Sequence, residues 1–273
     1  MSALERIIRI FEANQKEQAT LLERIEKYVQ IEENIKLDAE HKKRLRQFLV
    51  VSEYIEQEVS RPQAPAEELS IEEKASAIQM LNKRLSQVNN TKEKAQMISN
   101  IIATYIQQNI PSNKLESFKA VLLRRLIEQV KAQVSTNKES ALGYSYLLIC
   151  LGNRMPLLEK YRFFMFTSAL PLDCLLGMYR VYFSTLANTQ EWAHAWEFIS
   201  SLLNYTEEIN STFNPCVVWV FLEVLRPEMH RVYSTAWAKI EEYLQRVYVP
   251  LIDPKKYKTE IQQIEALLRT QAQ

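Results

Sequence analysis

The chain predicts an all-α protein, an irregular stack of antiparallel helical hairpins of HEAT-like kind, and three observations carry that expectation. Only three glycines, Gly143, Gly152 and Gly177, occur in 273 residues, so the positive-φ turns on which tight β-hairpins depend are nearly absent. Apolar residues recur at spacings of three and four along most of the chain, the period of a helix with one buried face. Proline and short polar runs interrupt that period at Pro62, Pro111, the run from Ser135, Pro156, Pro171, Asn188, Asn214-Pro215, Arg226-Pro227 and Pro254, which leaves segments of about 12 to 24 residues. No internal sequence repeat is visible, so the stack is expected to be irregular.

Residues 4 to 29 carry Leu4, Ile7, Ile8, Phe11, Leu21, Leu22, Ile25 and Val29 at helical spacing. A second helix is expected from about Asp38 to Ser60, and Pro62 and Pro65 break it, because proline lacks the amide donor and restricts the residue before it. The organisation is therefore read as an N-terminal helical segment, 1–60, a linker, 61–69, and a helical domain, 70–273. Ser70 and Glu73 form a capping box in sequence, so a helix starts there with the stripe Ile71, Ala75, Ile78, Leu81, Leu85 and Val88. Asn89-Asn90-Thr91 ends it and caps the next helix, whose stripe is Ala95, Ile98, Ile102 and Tyr105, making an αα-hairpin. Aromatic density rises after Leu142, and all four tryptophans, at 192, 196, 219 and 237, follow. The C-terminal half should hold the firmest core, with Trp219 of "NPCVVWVFLEVL" largely buried.

Composition narrows function. A hydrophobic fraction of 47% and a charged fraction of 25% are those of a folded soluble domain. Net charge is +1, so no global field concentrates the protein on nucleic acid or anionic membrane, and neither sequence-specific nucleic-acid binding nor membrane insertion is expected. The stretch from Phe163 to Phe183 is apolar but contains Pro171, Asp173 and Arg180, which reads as two helices around a turn rather than a membrane span. Cys150, Cys174 and Cys216 are odd in number and set in apolar segments, as expected of small buried hydrophobes in a reducing compartment.

Reactive constellations are lacking in the sequence. The three histidines, His41, His194 and His230, form no HExxH, and no cysteine pair has CxxC spacing, so no metal site is expected. His194, between Trp192 and Trp196 on a predicted helix, reads as a surface or capping histidine. GxGxxG, GxxxxGK[ST] and GxSxG are missing, which removes the phosphate loop and the nucleophile elbow. The chain is expected not to be an enzyme. The basic cluster "HKKRLRQF" at 41–48 reads as a solvated helix face, since Leu45, Phe48 and Leu49 supply the buried stripe.

Three segments resemble a known family. They are "KRLSQVNNTKEKAQMISNII" from Lys83, "LIEQVKAQVSTNKESALGYSYLLICLGNRMPLLEKYRFF" from Leu126, and "NPCVVWVFLEVLRPE" from Asn214 with the later "YVPLID". In order and approximate spacing they resemble the C-terminal domain of the mRNA export factor Gle-one, a helical HEAT-like protein of the nuclear pore's cytoplasmic face. The similarity spans roughly residues 70 to 270. The stretch before residue 70 lacks the long charged coiled coil of larger family members.

The resemblance implies an activator that grips a DEAD-box RNA-dependent ATPase, works beside nucleoporins of the cytoplasmic face, and remodels exported mRNA–protein complexes. It implies residence at the pore, between nucleus and cytoplasm. The competing class is a helical scaffold or tethering subunit with no effect on a catalytic cycle. In some family members inositol hexakisphosphate bridges activator and ATPase through a lysine pocket. The matching basic positions here are Lys83 and Arg84, then Arg124 and Arg125; these are the expected polyanion or partner contacts. The family's further lysine pair falls at 164–167, where this chain reads "FMFT". A polyanion needs several convergent donors, so no cofactor is expected to be required and inositol hexakisphosphate binding is expected to be weak or absent.

Overall fold

The computed structural model describes residues 67–152, 171–204, 209 and 214–269. The expected helices at 4–29 and 38–60, most of the 61–69 linker, Pro156 and the "FMFT" stretch lie outside the described residues. Among the described residues the fold is all-α, with no strand and eight main helices packed against one another.

Helix α1, Ile71–Leu85, begins at the expected capping box: Ser70 Oγ accepts from the Glu73 amide at 3.2 Å, and the Ser70 amide donates to Glu73 Oε2 at 2.7 Å. Helix α2, Lys92–Asn109, starts on Thr91, whose Oγ1 accepts from the Lys94 amide. It stops before Pro111 because the residue preceding a proline is pushed out of the helical region. Helix α3, Leu115–Gln133, follows a short 3-10 turn, Ser112–Lys114, and helix α4 is Ser140–Gly152. Helix α5, Leu172–Thr189, enters from Pro171 and leaves through Gln190 in the left-handed conformation, φ 59°. Helix α6 is Trp192–Asn204, α7 is Asn214–Tyr243, and α8 is Lys258–Arg269. A wide π turn, Leu244–Tyr248, and one short turn, Val249–Leu251, bridge α7 to α8.

Neighbours in sequence are not always neighbours in packing. Helices α1 and α2 run antiparallel, with the Ser76 and Tyr105 hydroxyls 3.1 Å apart, yet they stand apart along much of their length. α1 packs chiefly on α3, and α2 chiefly on α4. α5 lies at the centre, against α3, α4, α6 and α7. Every residue of α5 from Leu175 to Leu186 is buried, the pattern of a helix covered on all sides rather than on one stripe.

Four expectations need correction. The stripe of α1 is rotated: Ala77, Leu81 and Leu85 are buried, whereas Ile71 is 88% exposed. Ile71 falls on the flank of α1 away from Glu73 and Ser76, which contact Lys114 and Tyr105. The linker ends early, since the Leu69 amide donates to Ser117 Oγ at 3.2 Å and Leu69 is buried against α3. Trp219 is only half-buried, and the fully enclosed tryptophan is Trp237.

The fourth concerns Pro227, which lies inside α7 rather than ending it. The break comes at Ser234, φ 40° and ψ −108°. Arg226 Nε and Glu241 Oε1 meet at 2.7 Å, although fifteen residues of straight helix would separate them by about 22 Å. The chain therefore folds back sharply at Ser234. Glu241 Oε1 also accepts from Trp237 Nε1 at 2.9 Å, so one carboxylate clamps both arms of the reversal.

Candidate functional site

The join between α1 and α2 is built to a fixed shape. At its start the Gln87 and Val88 amides donate to the carbonyls of Arg84 and Leu85, tightening the last turn of α1. Asn89 Oδ1 then accepts from both the amide and the hydroxyl of Thr91, at 3.1 and 2.8 Å, an Asx arrangement that holds the corner before α2 begins. From below, the Tyr144 hydroxyl donates to the Leu85 carbonyl at 3.2 Å in the buried interior. Beside it Gly143 has no side chain, and an ideal Cβ there would stand 2.1 Å from the Asn89 carbonyl oxygen. Glycine is required at 143 because backbone packs directly on backbone.

A cleft of about 390 Å³ opens next to this corner, lined by Asn90, by Lys138 and Glu139 of the α3–α4 turn, by Leu142, and by Arg180 and Glu223 from α5 and α7. Glu223 is its hub. Lys138 Nζ reaches one carboxylate oxygen at 2.5 Å and Arg180 Nε the other at 3.0 Å. Burial pushes the Glu223 carboxyl up, but hydrogen bonds and charge from Lys138 and Arg180 outweigh it and hold the group below its ordinary value. The Arg180 guanidinium also lies 5.2 Å from the centroid of the Trp219 ring, which keeps that tryptophan at the edge of the core. Helix-end backbone and a paired, half-buried charge cluster thus form one stiff surface from three distant parts of the chain.

The expected basic residues fall nearby but not as one pocket. Lys83 and Arg84 occupy the last turn of α1, Lys83 exposed and Arg84 half-exposed, where positive charge suits the helix C-terminus. Arg84 lines a second groove, between α1 and α2, that contains neither Arg124 nor Arg125. On α3, Arg124 is exposed, while Arg125 is tied to Glu128 one turn along at 2.8 Å. Among the described residues no hydrogen bond or ion pair connects the two basic pairs.

Groups with reactive potential are in quiet surroundings. Cys150 and Cys216 are buried, Cys174 is half-buried, and all three are free thiols. Burial, with help from the Glu260 carboxylate, pushes the Cys216 thiol up to about 12, which leaves almost no thiolate at neutral pH. His194 Nδ1 lies 2.7 Å from Glu191 Oε2 at the start of α6, on the surface. No group of three potential metal ligands occurs among the described residues, and no helix there is long and apolar enough to cross a membrane.

Sequence reasoning missed Lys138, Arg180 and Glu223. Their partners lie 43 and 85 positions apart, and no local period marks such a cluster; the one available signal was Arg180 inside an otherwise apolar helix. Comparison with protein-family models and with curated proteins gives no match.

Proposed function

We propose that this protein is an adaptor without catalytic chemistry of its own, which binds and activates a DEAD-box RNA-dependent ATPase during mRNA export at the cytoplasmic face of the nuclear pore. The observation that carries the reading is the ordered resemblance of three segments, from Lys83, Leu126 and Asn214, to the Gle-one C-terminal domain. The geometry is compatible with it: two of those segments contribute to the corner and cleft around Gly143 and Glu223. Such a surface acts by being stiff. A DEAD-box ATPase has two mobile lobes, and a rigid platform that contacts both favours one relative orientation through its difference in contact energy between the two.

In this reading Lys83, Arg84, Arg124 and Arg125 are protein contacts, and the proposed partners are the ATPase and cytoplasmic-face nucleoporins. Inositol hexakisphosphate is not needed. The test is the RNA-dependent ATPase rate of the cognate DEAD-box protein with and without the purified chain. Stimulation without the inositol phosphate is expected, and Arg124→Glu/Arg125→Glu should raise the concentration needed for half-maximal stimulation about tenfold or more, the equivalent of losing one charge-assisted contact. An unchanged ATPase rate, with tethering subunits rather than nucleoporins in an affinity pull-down, would replace the activator by a helical scaffold.

A further inference from the structure

The groove between α1 and α2 has a volume of about 470 Å³ and is walled by Met80, Met97, Ile101 and Tyr105, with Arg84 on its rim and no carboxylate in its lining. Met97 is 42% exposed. The groove exists because α1 and α2 lean on α3 and α4 rather than on each other. Flexible thioethers beside an isoleucine and a tyrosine make an adaptable apolar surface of the kind that receives the apolar face of a helix.

We propose that residues 48–59 of the chain itself occupy this groove as an amphipathic helix and so cap the first helix pair. Phe48, Val51, Ile55 and Val59 follow one another at spacings of three, four and four, which places them on one helical face. Charge favours the match. Residues 49–60 contain Glu53, Glu56 and Glu58 and no lysine or arginine, whereas the groove presents Arg84, with Lys83 beside it in the same turn.

The attachment also fits. Glu67 is held at the start of α3, its carboxylate 2.5 Å from Asn113 Nδ2 and 3.7 Å from Lys114 Nζ. Eight residues from Val59 to Glu67 can span about 27 Å, and the 15 residues of α1 are about 22 Å long, so the whole groove is within reach. A segment tethered this closely has an effective concentration on the order of millimolar. A second copy or a separate partner helix must compete with that. The proposal stands apart from the ATPase reading.

The test is the rate of Met97 oxidation in the full chain by dilute peroxide, followed by mass spectrometry. Docking shields the thioether, so oxidation should be slow in the wild type and several-fold faster in Phe48→Asp/Ile55→Asp. Arg84→Glu should also accelerate it, and adding Glu53→Arg/Glu56→Arg to that variant should restore slow oxidation, a rescue that a folding defect would not give. Equal rates in the wild type and Phe48→Asp/Ile55→Asp overturn the proposal. Equal and fast rates would leave the groove to an external partner; equal and slow rates with a doubled mass in light scattering would assign it to a second copy.

Discussion

The two ends of this helical assembly hold together by different means. Around α5, α6 and α7, the rings of Tyr179, Tyr182, Phe183, Phe198, Phe221 and Trp237 form a chain of stacked and edge-on contacts with centroids 5.1 to 6.2 Å apart. The first pair, α1 and α2, buries only small and aliphatic side chains, Ala77, Leu81, Leu85, Ala95, Ile98 and Ile102. It is fastened at its ends by caps, by the Lys114–Glu73 pair at 2.9 Å, and by Tyr144 under the corner. Aromatic packing gives the C-terminal half a core whose loss is global; polar end fastenings give the N-terminal pair a defined shape with less burial, so it is expected to open first.

Removing Trp237 should show the contrast at its largest. Trp237→Ala leaves a cavity between Phe221 and Trp196 and takes a donor from the buried Glu241 carboxylate, so stability should fall by about 3 to 5 kcal/mol in urea denaturation. A loss confined to the C-terminal helices, with the rest still folded, would break the view that they form the frame. Next comes Gly143→Ala. The new Cβ meets a backbone carbonyl at 2.1 Å; overpacking costs about 1 to 3 kcal/mol, and the better helix propensity of alanine offsets less than about 1. A net loss of about 1 to 2 kcal/mol is expected, with faster amide exchange at 86–91 than elsewhere. Uniform exchange would show that the corner is not a separate fastening.

Trp219→Ala sharpens the comparison from within the C-terminal half. The ring is half-buried and stacks under Arg180, so its removal should cost about 1.5 kcal/mol, well below the Trp237 value. Equal losses for the two tryptophans in the same denaturation experiment would contradict the burial that separates them.

These sites also mark where the sequence could be read. The caps at Ser70 and Thr91 were legible because a cap is a contact between residues three apart. The stops at Pro111, Pro171 and Pro254 were legible because proline acts on its own backbone. Pro227 misled for the same reason: a proline is a local signal, whereas the reversal at Ser234 is held by Arg226, Trp237 and Glu241 after the chain has turned. Likewise the scarcity of glycine indicated helices, but the need for Gly143 depends on Asn89, 54 residues away and on another helix's end. The Lys138–Glu223–Arg180 cluster and the tilt that opens the α1–α2 groove are products of packing, and no spacing rule contains them.

The smallest effect concerns acid. Glu73 accepts hydrogen bonds from the Ser70 amide and then from Lys114, and both favour the carboxylate, lowering its pKa below the ordinary 4.5. Lys114 is correspondingly raised above 10.5 by the same contact. For a lowered carboxylate the stabilising contribution is present above the unfolded value and is lost as pH falls through the folded one. For a raised lysine it is present below the unfolded value and is lost as pH rises through the folded one. The α1 cap therefore weakens below about pH 4.5 and again above about pH 10.5. Glu223 is lowered too, so acid loosens both halves. Only Glu73→Gln, however, should flatten the acid response of amides in the first turn of α1 while leaving that of α5 and α7 unchanged. Hydrogen exchange across the acid range reads both at once, and a parallel change in α5 and α7 would mean that the two ends of the assembly are fastened as one unit.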